Sequence, residues 1–133
     1  MIDDGSMGTA MGTLGGYSIL VVDDEPLIAL GVTEALSDAG ADVVTAHDLR
    51  TALEAAVNGS VSAAILDVQI GASDSAPVCE VLRSQQVPFL FFTGSDSHDL
   101  LREWASVPTL AKPTGEAELV ANVEALLTAE AGD

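Results

Sequence analysis

YSILVVDDEP, residues 17–26, decides the reading of the chain. Its first six residues are a short apolar, β-branched run, which reads as a strand. The run stops abruptly at Asp23-Asp24-Glu25. Pro26 then sits where the first turn of a helix tolerates a residue without an N–H. Ile28, Val32, Ala35, Leu36 and Ala39 follow helical spacing, and Gly40 is placed to end that helix in a left-handed conformation.

The same strand-then-helix unit recurs downstream. Residues 42–46, DVVTA, predict a second strand. Asp48 is placed to cap a helix whose apolar face is Leu49, Ala52, Leu53, Ala56 and Val57, ending at Asn58-Gly59. Residues 62–66, SAAIL, predict a third strand that delivers Asp67 at its carboxyl end. A loop from Val68 to about Asp74 and a helix through Val78, Val81 and Leu82 follow. Residues 88–92, PFLFF, predict a fourth strand ending at Thr93-Gly94. A short, weakly patterned helix is expected from about Ser97 to Trp104, and residues 107–111 give a brief fifth strand before Lys112-Pro113. Thr114 is placed to cap a last helix bearing Leu119, Val120, Val123, Leu126 and Leu127. Five alternations with short connections imply a parallel sheet covered on both faces by right-handed crossovers, a doubly wound α/β domain.

The length of 133 residues suits one such domain. The expected division is a flexible leader at 1–16, carrying five glycines, the domain at 17–129 and a tail at 130–133. The leader lacks the basic and apolar regions of a signal peptide. No run approaches the roughly 18 apolar residues of a membrane span. With 21 acidic residues against 4 basic ones, a net charge of −17 argues against direct nucleic-acid binding, which depends on Lys and Arg. The ordinary reading of the excess acid is a solvated surface. Cys79 is the only cysteine, which excludes an internal disulfide and a cysteine-based metal site and suits a reducing cytoplasm.

Ligands of an open parallel sheet bind beyond the carboxyl ends of its strands. Asp23, Asp24, Asp67, Thr93 and Lys112 each fall at a predicted strand end, so they converge on one edge. Crowded carboxylates repel, and a hard divalent cation such as magnesium relieves them while keeping positions for phosphate oxygens. One carboxylate can then attack a phosphoryl donor. The cation, the ammonium of Lys112 and the Thr93 hydroxyl balance the developing charge. Taken singly, each residue has an ordinary alternative: a helix-capping acid run for residues 23–25, a loop acid for Asp67, a turn for Thr93-Gly94, a surface charge for Lys112. The conjunction of five strand ends carries the reading.

On the ILVVDDE segment, the apolar strand leading into Asp67, Thr93-Gly94 and Lys112-Pro113, residues 17 to 128 resemble the receiver domains of bacterial response regulators. The resemblance implies a flavodoxin-like (β/α)5 fold with strand order 2-1-3-4-5. It implies Asp67 as phosphoacceptor and Asp24 as a direct magnesium ligand, with Asp23 acting through water and the Gln69 carbonyl completing the site. Thr93 becomes the switch hydroxyl and Lys112 the phosphate partner. A sensor histidine kinase or histidine phosphotransfer protein is implied as donor, and an unknown protein as output, with no membrane contact. Two departures stand out. Residues 68–74, VQIGASD, replace the usual Met-Pro turn, and Thr109 stands where an aromatic switch residue is usual. The PFLFFTGS segment resembles the single-domain FAT GUY subfamily.

The expected function is Mg-dependent, self-catalysed phosphorylation and dephosphorylation of a signalling domain rather than turnover of a metabolite. A phosphate sink or shuttle is the alternative. An aspartate-based phosphohydrolase fits less well, because Gln69 stands where those enzymes place a second acid. His47 and His98 read as solvated or capping residues, Cys79 as a small buried hydrophobe and Trp104 as a packing residue.

Overall fold

The computed structural model describes residues 12–94 and 99–132. Strand β1 (Ser18–Val22) pairs in parallel with β2 (Asp42–Ala46) on one side and with β3 (Ala63–Leu66) on the other. β3 pairs with β4 (Phe89–Thr93), and β4 with β5 (Thr109–Ala111), giving the order 2-1-3-4-5. The intervening helices are α1 (Pro26–Asp38), α2 (Leu49–Asn58), α3 (Ala76–Ser84), α4 (Asp99–Glu103) and α5 (Glu116–Gly132). The doubly wound architecture is the one the alternation implies.

Side chains of a strand point alternately to opposite faces, and both faces here are covered. Leu20, Val22, Ala64, Leu66, Phe89 and Phe91 pack on the face that also buries Ala52 and Ala56 of α2 and Val78, Cys79 and Leu82 of α3. Ile19, Val21, Ala63, Ile65, Leu90 and Phe92 face Val32 and Leu36 of α1 and Leu119, Val123 and Leu127 of α5. Near-continuous apolar strands are therefore required, and each buried Leu, Ile or Phe contributes roughly 1.5–3 kcal/mol. Trp104 packs with its ring centroid 5.7 Å from that of Phe89, in keeping with a packing role.

Local signals act where expected at two helix ends. Asp48 accepts from the Thr51 N–H at 2.8 Å, and Gly59 closes α2 at φ +78°. Thr114 behaves differently: its hydroxyl turns back to donate to the Ala111 carbonyl at 2.6 Å, and α5 starts two residues later at Glu116. Its helix continues to Gly132, through most of the stretch expected as a tail.

Two further expectations are corrected. The loop expected at 68–74 contains a β-hairpin, in which Gln69–Ile70 pairs antiparallel with Ser73–Asp74. Residues 12–16, assigned to a flexible leader, form a turn docked on the domain. Leu14 is fully buried among the α1/α5 core residues, and its N–H donates to the Ala39 carbonyl at 2.8 Å. Gly12 makes the close approach possible, since a Cβ there would lie 2.2 Å from the Ala39 oxygen. Residues 1–11, and the expected start of the fourth helix at Ser97 together with His98, lie outside the described residues.

Candidate functional site

Each chemical residue hangs from a strand end by one last ladder bond. The Asp23 N–H donates to the Ala46 carbonyl at 3.1 Å, Asp67 to Val22 at 2.9 Å and Lys112 to Thr93 at 2.9 Å. The sheet register thus sets the spacing of the site. Asp23, Asp67 and Thr93 are buried polar residues, 3%, 8% and 5% exposed, at the carboxyl edge of the sheet. Burial of charge demands partners.

Lys112 supplies them. Its Nζ lies 2.7 Å from Asp23 Oδ2, 2.9 Å from Asp67 Oδ2 and 3.0 Å from Glu25 Oε1. An ammonium has three N–H donors, and three carboxylates take them. Asp23 Oδ1 accepts from the Glu25 N–H at 2.9 Å. Burial lifts the Asp23 pKa above the usual carboxylate value, against the pull of Lys112 and the Glu25 amide. Burial also works to lower the Lys112 pKa, yet its bonds to Asp23, Asp67 and Glu25 outweigh that and raise it, so the ammonium is kept protonated.

Among the described residues, one oxygen each of Asp23, Glu25 and Asp67 lie within 4.8 Å of one another. Three carboxylates against one ammonium leave two formal negative charges in a largely buried pocket. That donor set fits a hard divalent cation, which favours oxygen ligands.

The structure therefore brings together Asp23, Asp67 and Lys112 as expected, with Thr93 beside Lys112 at the end of β4. Glu25 is an addition. As an acid at a helix start it reads as a capping residue, but its side chain caps nothing in α1 and reaches Lys112 instead. Asp24 is not in the group of three. It is exposed, and its Oδ2 accepts from the Gly71 N–H at 2.7 Å. Gln69 is exposed at the base of the hairpin, where its Nε2 donates to the Gly71 carbonyl at 3.0 Å. His47 is exposed and its Nδ1 donates to the Asp23 carbonyl at 3.0 Å, which braces the acid-bearing loop. The Cys79 thiol is buried and burial pushes it up to about 12, so it takes no part as a thiolate.

A 2-1-3-4-5 parallel sheet with an acid cluster and a lysine at its carboxyl edge defines a flavodoxin-like domain. The chain belongs to the response regulator receiver domain family, whose model matches residues 19–124. It is 40% identical over 88 residues to the transcriptional regulatory protein TcrA of Mycobacterium tuberculosis, covering 65% of this chain and 35% of that one. It is 35% identical over 114 residues to the alkaline phosphatase synthesis transcriptional regulatory protein PhoP of Bacillus subtilis, covering 82% and 48%. The chain thus spans about half or less of the length of these relatives. Among solved structures it is similar to the chemotaxis response regulator CheY4 of Vibrio cholerae, with a TM-score of 0.74 and 30% identity, covering 86% of this chain and all of that one.

Proposed function

We propose that Asp67 accepts a phosphoryl group from a phosphohistidine of a sensor kinase or phosphotransfer protein, and that the phosphorylated domain signals through protein contacts. The observation that carries this is the Asp67 carboxylate at the end of the central strand, 2.9 Å from the only lysine of the chain and next to a second buried acid. A carboxylate oxygen of Asp67 attacks phosphorus, the bond from phosphorus to the imidazole nitrogen breaks, and the electron pair leaves with the imidazole. Lys112 and the Thr93 hydroxyl offset the charge on the transferred oxygens. Asp23 and Asp67, with Asp24 and the Gln69 carbonyl as further ligands, would hold magnesium, which would supply the remaining positive charge. Water attack on the acyl phosphate reverses the modification, so the domain catalyses its own phosphorylation and dephosphorylation.

A groove of about 210 Å³ between α1 and the start of α5 reaches Lys112 and is lined by Leu27, Gly31, Phe92 and Pro113. Leu27 is 82% exposed at its rim, and Leu30 on the same helix is 52% exposed. This supports docking of the phosphodonor protein on α1. The acidic balance supports an output that does not involve direct DNA contact by this domain. No described helix is long and apolar enough to cross a membrane. With one buried thiol, a cytoplasmic location is the reading that fits. A phosphate-sink role takes support from Thr109, which offers no ring to bury when the site fills.

Incubation with magnesium and acetyl phosphate, followed by intact mass measurement, tests the reading. Wild type should gain one phosphoryl group, and Asp67→Asn none. Equal uptake in excess chelator, or uptake by Asp67→Asn, refutes it.

A further inference from the structure

Asp24 is held differently from the acids around it. Its Oδ2 accepts from the Gly71 N–H at 2.7 Å, across 47 positions of sequence. A charge-assisted bond of this kind is roughly twice as strong as one between neutral groups. It draws Asp24 toward the hairpin tip while Asp23, Glu25 and Asp67 gather on Lys112.

The hairpin is fixed at its base, and its tip is held at Gly71 by Gln69 Nε2 within the hairpin and by Asp24 from the body of the domain. Ile70 is 3% exposed, and the Ser75 N–H donates to the Val68 carbonyl at 2.9 Å, which anchors both ends. Gly71 and Ala72 at the tip are exposed, and Gly71 has φ +61° with nothing within 4 Å of where a Cβ would sit. The two strands contribute only the pairs Gln69–Asp74 and Ile70–Ser73, and a hairpin that small has little stability of its own. Asp24 ties this tip to the body of the domain.

We propose that the hairpin tip and a divalent cation compete for the Asp24 carboxylate, so that filling the acidic site releases Gly71 and Ala72 and turns the tip into a surface report of occupancy. The inference rests on the reading of Asp24 as a cation ligand. Asp24 lies outside the group of three carboxylates, so a cation held there that also takes Asp24 pulls it away from the Gly71 amide. Competition of this kind is reciprocal: the cation loosens the tip, and whatever loosens the tip favours the cation. The device also gives the site an outlet that needs no aromatic ring at Thr109.

Two measurements on the full chain test it, with magnesium alone as the probe. Amide exchange at Gly71 should be slow without magnesium and several-fold faster with it, following the same midpoint as shifts at Asp23 and Asp67. Gly71→Ala places a side chain at a left-handed φ, which disfavours the latched tip, and should tighten magnesium binding several-fold. Weaker or unchanged binding in Gly71→Ala overturns the proposal, because the tip would then orient Asp24 or ignore it. Shifts at Asp23 and Asp67 with unaltered exchange at Gly71 overturn the latch and leave the cation reading standing. Absence of shifts at all three positions removes both.

Discussion

Replacing Lys112 by methionine removes the only cation among the described residues in contact with two buried carboxylates while keeping an unbranched apolar stem of similar length. The Lys112 side chain is 11% exposed, and those of Asp23 and Asp67 are 4% and 10% exposed, so solvent screens little of the loss. Glu25, with its side chain 62% exposed, is discounted. Breaking a buried pair by removing one partner costs about 3–5 kcal/mol. For a domain with about 5–15 kcal/mol of total stability, that is a large fraction. At roughly 4 °C per kcal/mol it corresponds to a melting temperature lower by about 10–20 °C. The assay is urea unfolding in chelator, followed by the fluorescence of the single tryptophan, Trp104, which is 6% exposed.

The pH dependence fixes the cause. In wild type the raised Lys112 pKa means that its contribution is complete below the ordinary lysine value of 10.5 and is lost only as pH rises above it. In Lys112→Met, Asp23 keeps the upward push of burial and loses the ammonium that opposes it. Its folded pKa then stands further above the ordinary 3.8, so the deficit is small below that value and grows as pH rises through the folded pKa. Magnesium should return more stability to the variant than to wild type, because it meets three uncompensated carboxylates rather than a net two charges. A deficit equal at pH 4 and pH 7, or no deficit at pH 7, would refute the reasoning.

Leu14→Ala removes a fully buried side chain from the α1/α5 face and should cost about 2–5 kcal/mol by equilibrium unfolding; a change within error would mean that the turn at 12–16 is not docked in solution. Gln86 is the one described residue other than glycine with positive φ, at +61°, so Gln86→Gly should raise stability by about 0.5–1 kcal/mol in the same assay. The Cys79 thiol, buried and raised to about 12, should react with a thiol reagent at neutral pH only at the rate of unfolding, and fast labelling of the native protein would contradict its placement. Arg83 lies 3.9 Å over the Trp104 ring, so Arg83→Ala should shift the tryptophan emission and cost about 0.5–1 kcal/mol.

The strands were legible because a sheet buried on both faces leaves little choice of residue: Ile19 to Val22 and Phe89 to Phe92 are apolar at every position. The strand ends then located Asp23, Asp67, Thr93 and Lys112 without any knowledge of distances. Other features carry no periodic signal. Leu14 is a single apolar residue in a glycine-rich stretch, and nothing in the pattern distinguishes it from a solvated one. Two-residue strands such as Gln69–Ile70 are too short to alternate. Glu25 was hidden by its position, since an acid at a helix start already has a sufficient local explanation. Only the three-dimensional placement of Lys112, 87 residues away, reveals its partner. Thr114 misled in the opposite sense, because a hydroxyl before a helix can bond the preceding carbonyl as readily as the following N–H groups.

The solitary lysine has a consequence for the chemistry of labelling. Acetyl phosphate carries two transferable groups, and an ordinary protein can be acetylated on surface amines while it is being phosphorylated on a carboxylate. Here no other lysine exists, and the ε-amine of Lys112 is protonated, with its hydrogens given to three acids, so it has no lone pair to offer an acyl donor. Side-chain amine acylation is thereby suppressed by the same contacts that hold the site together. The appearance of an acetyl group on Lys112 would itself signal that the acid cluster had let go of it.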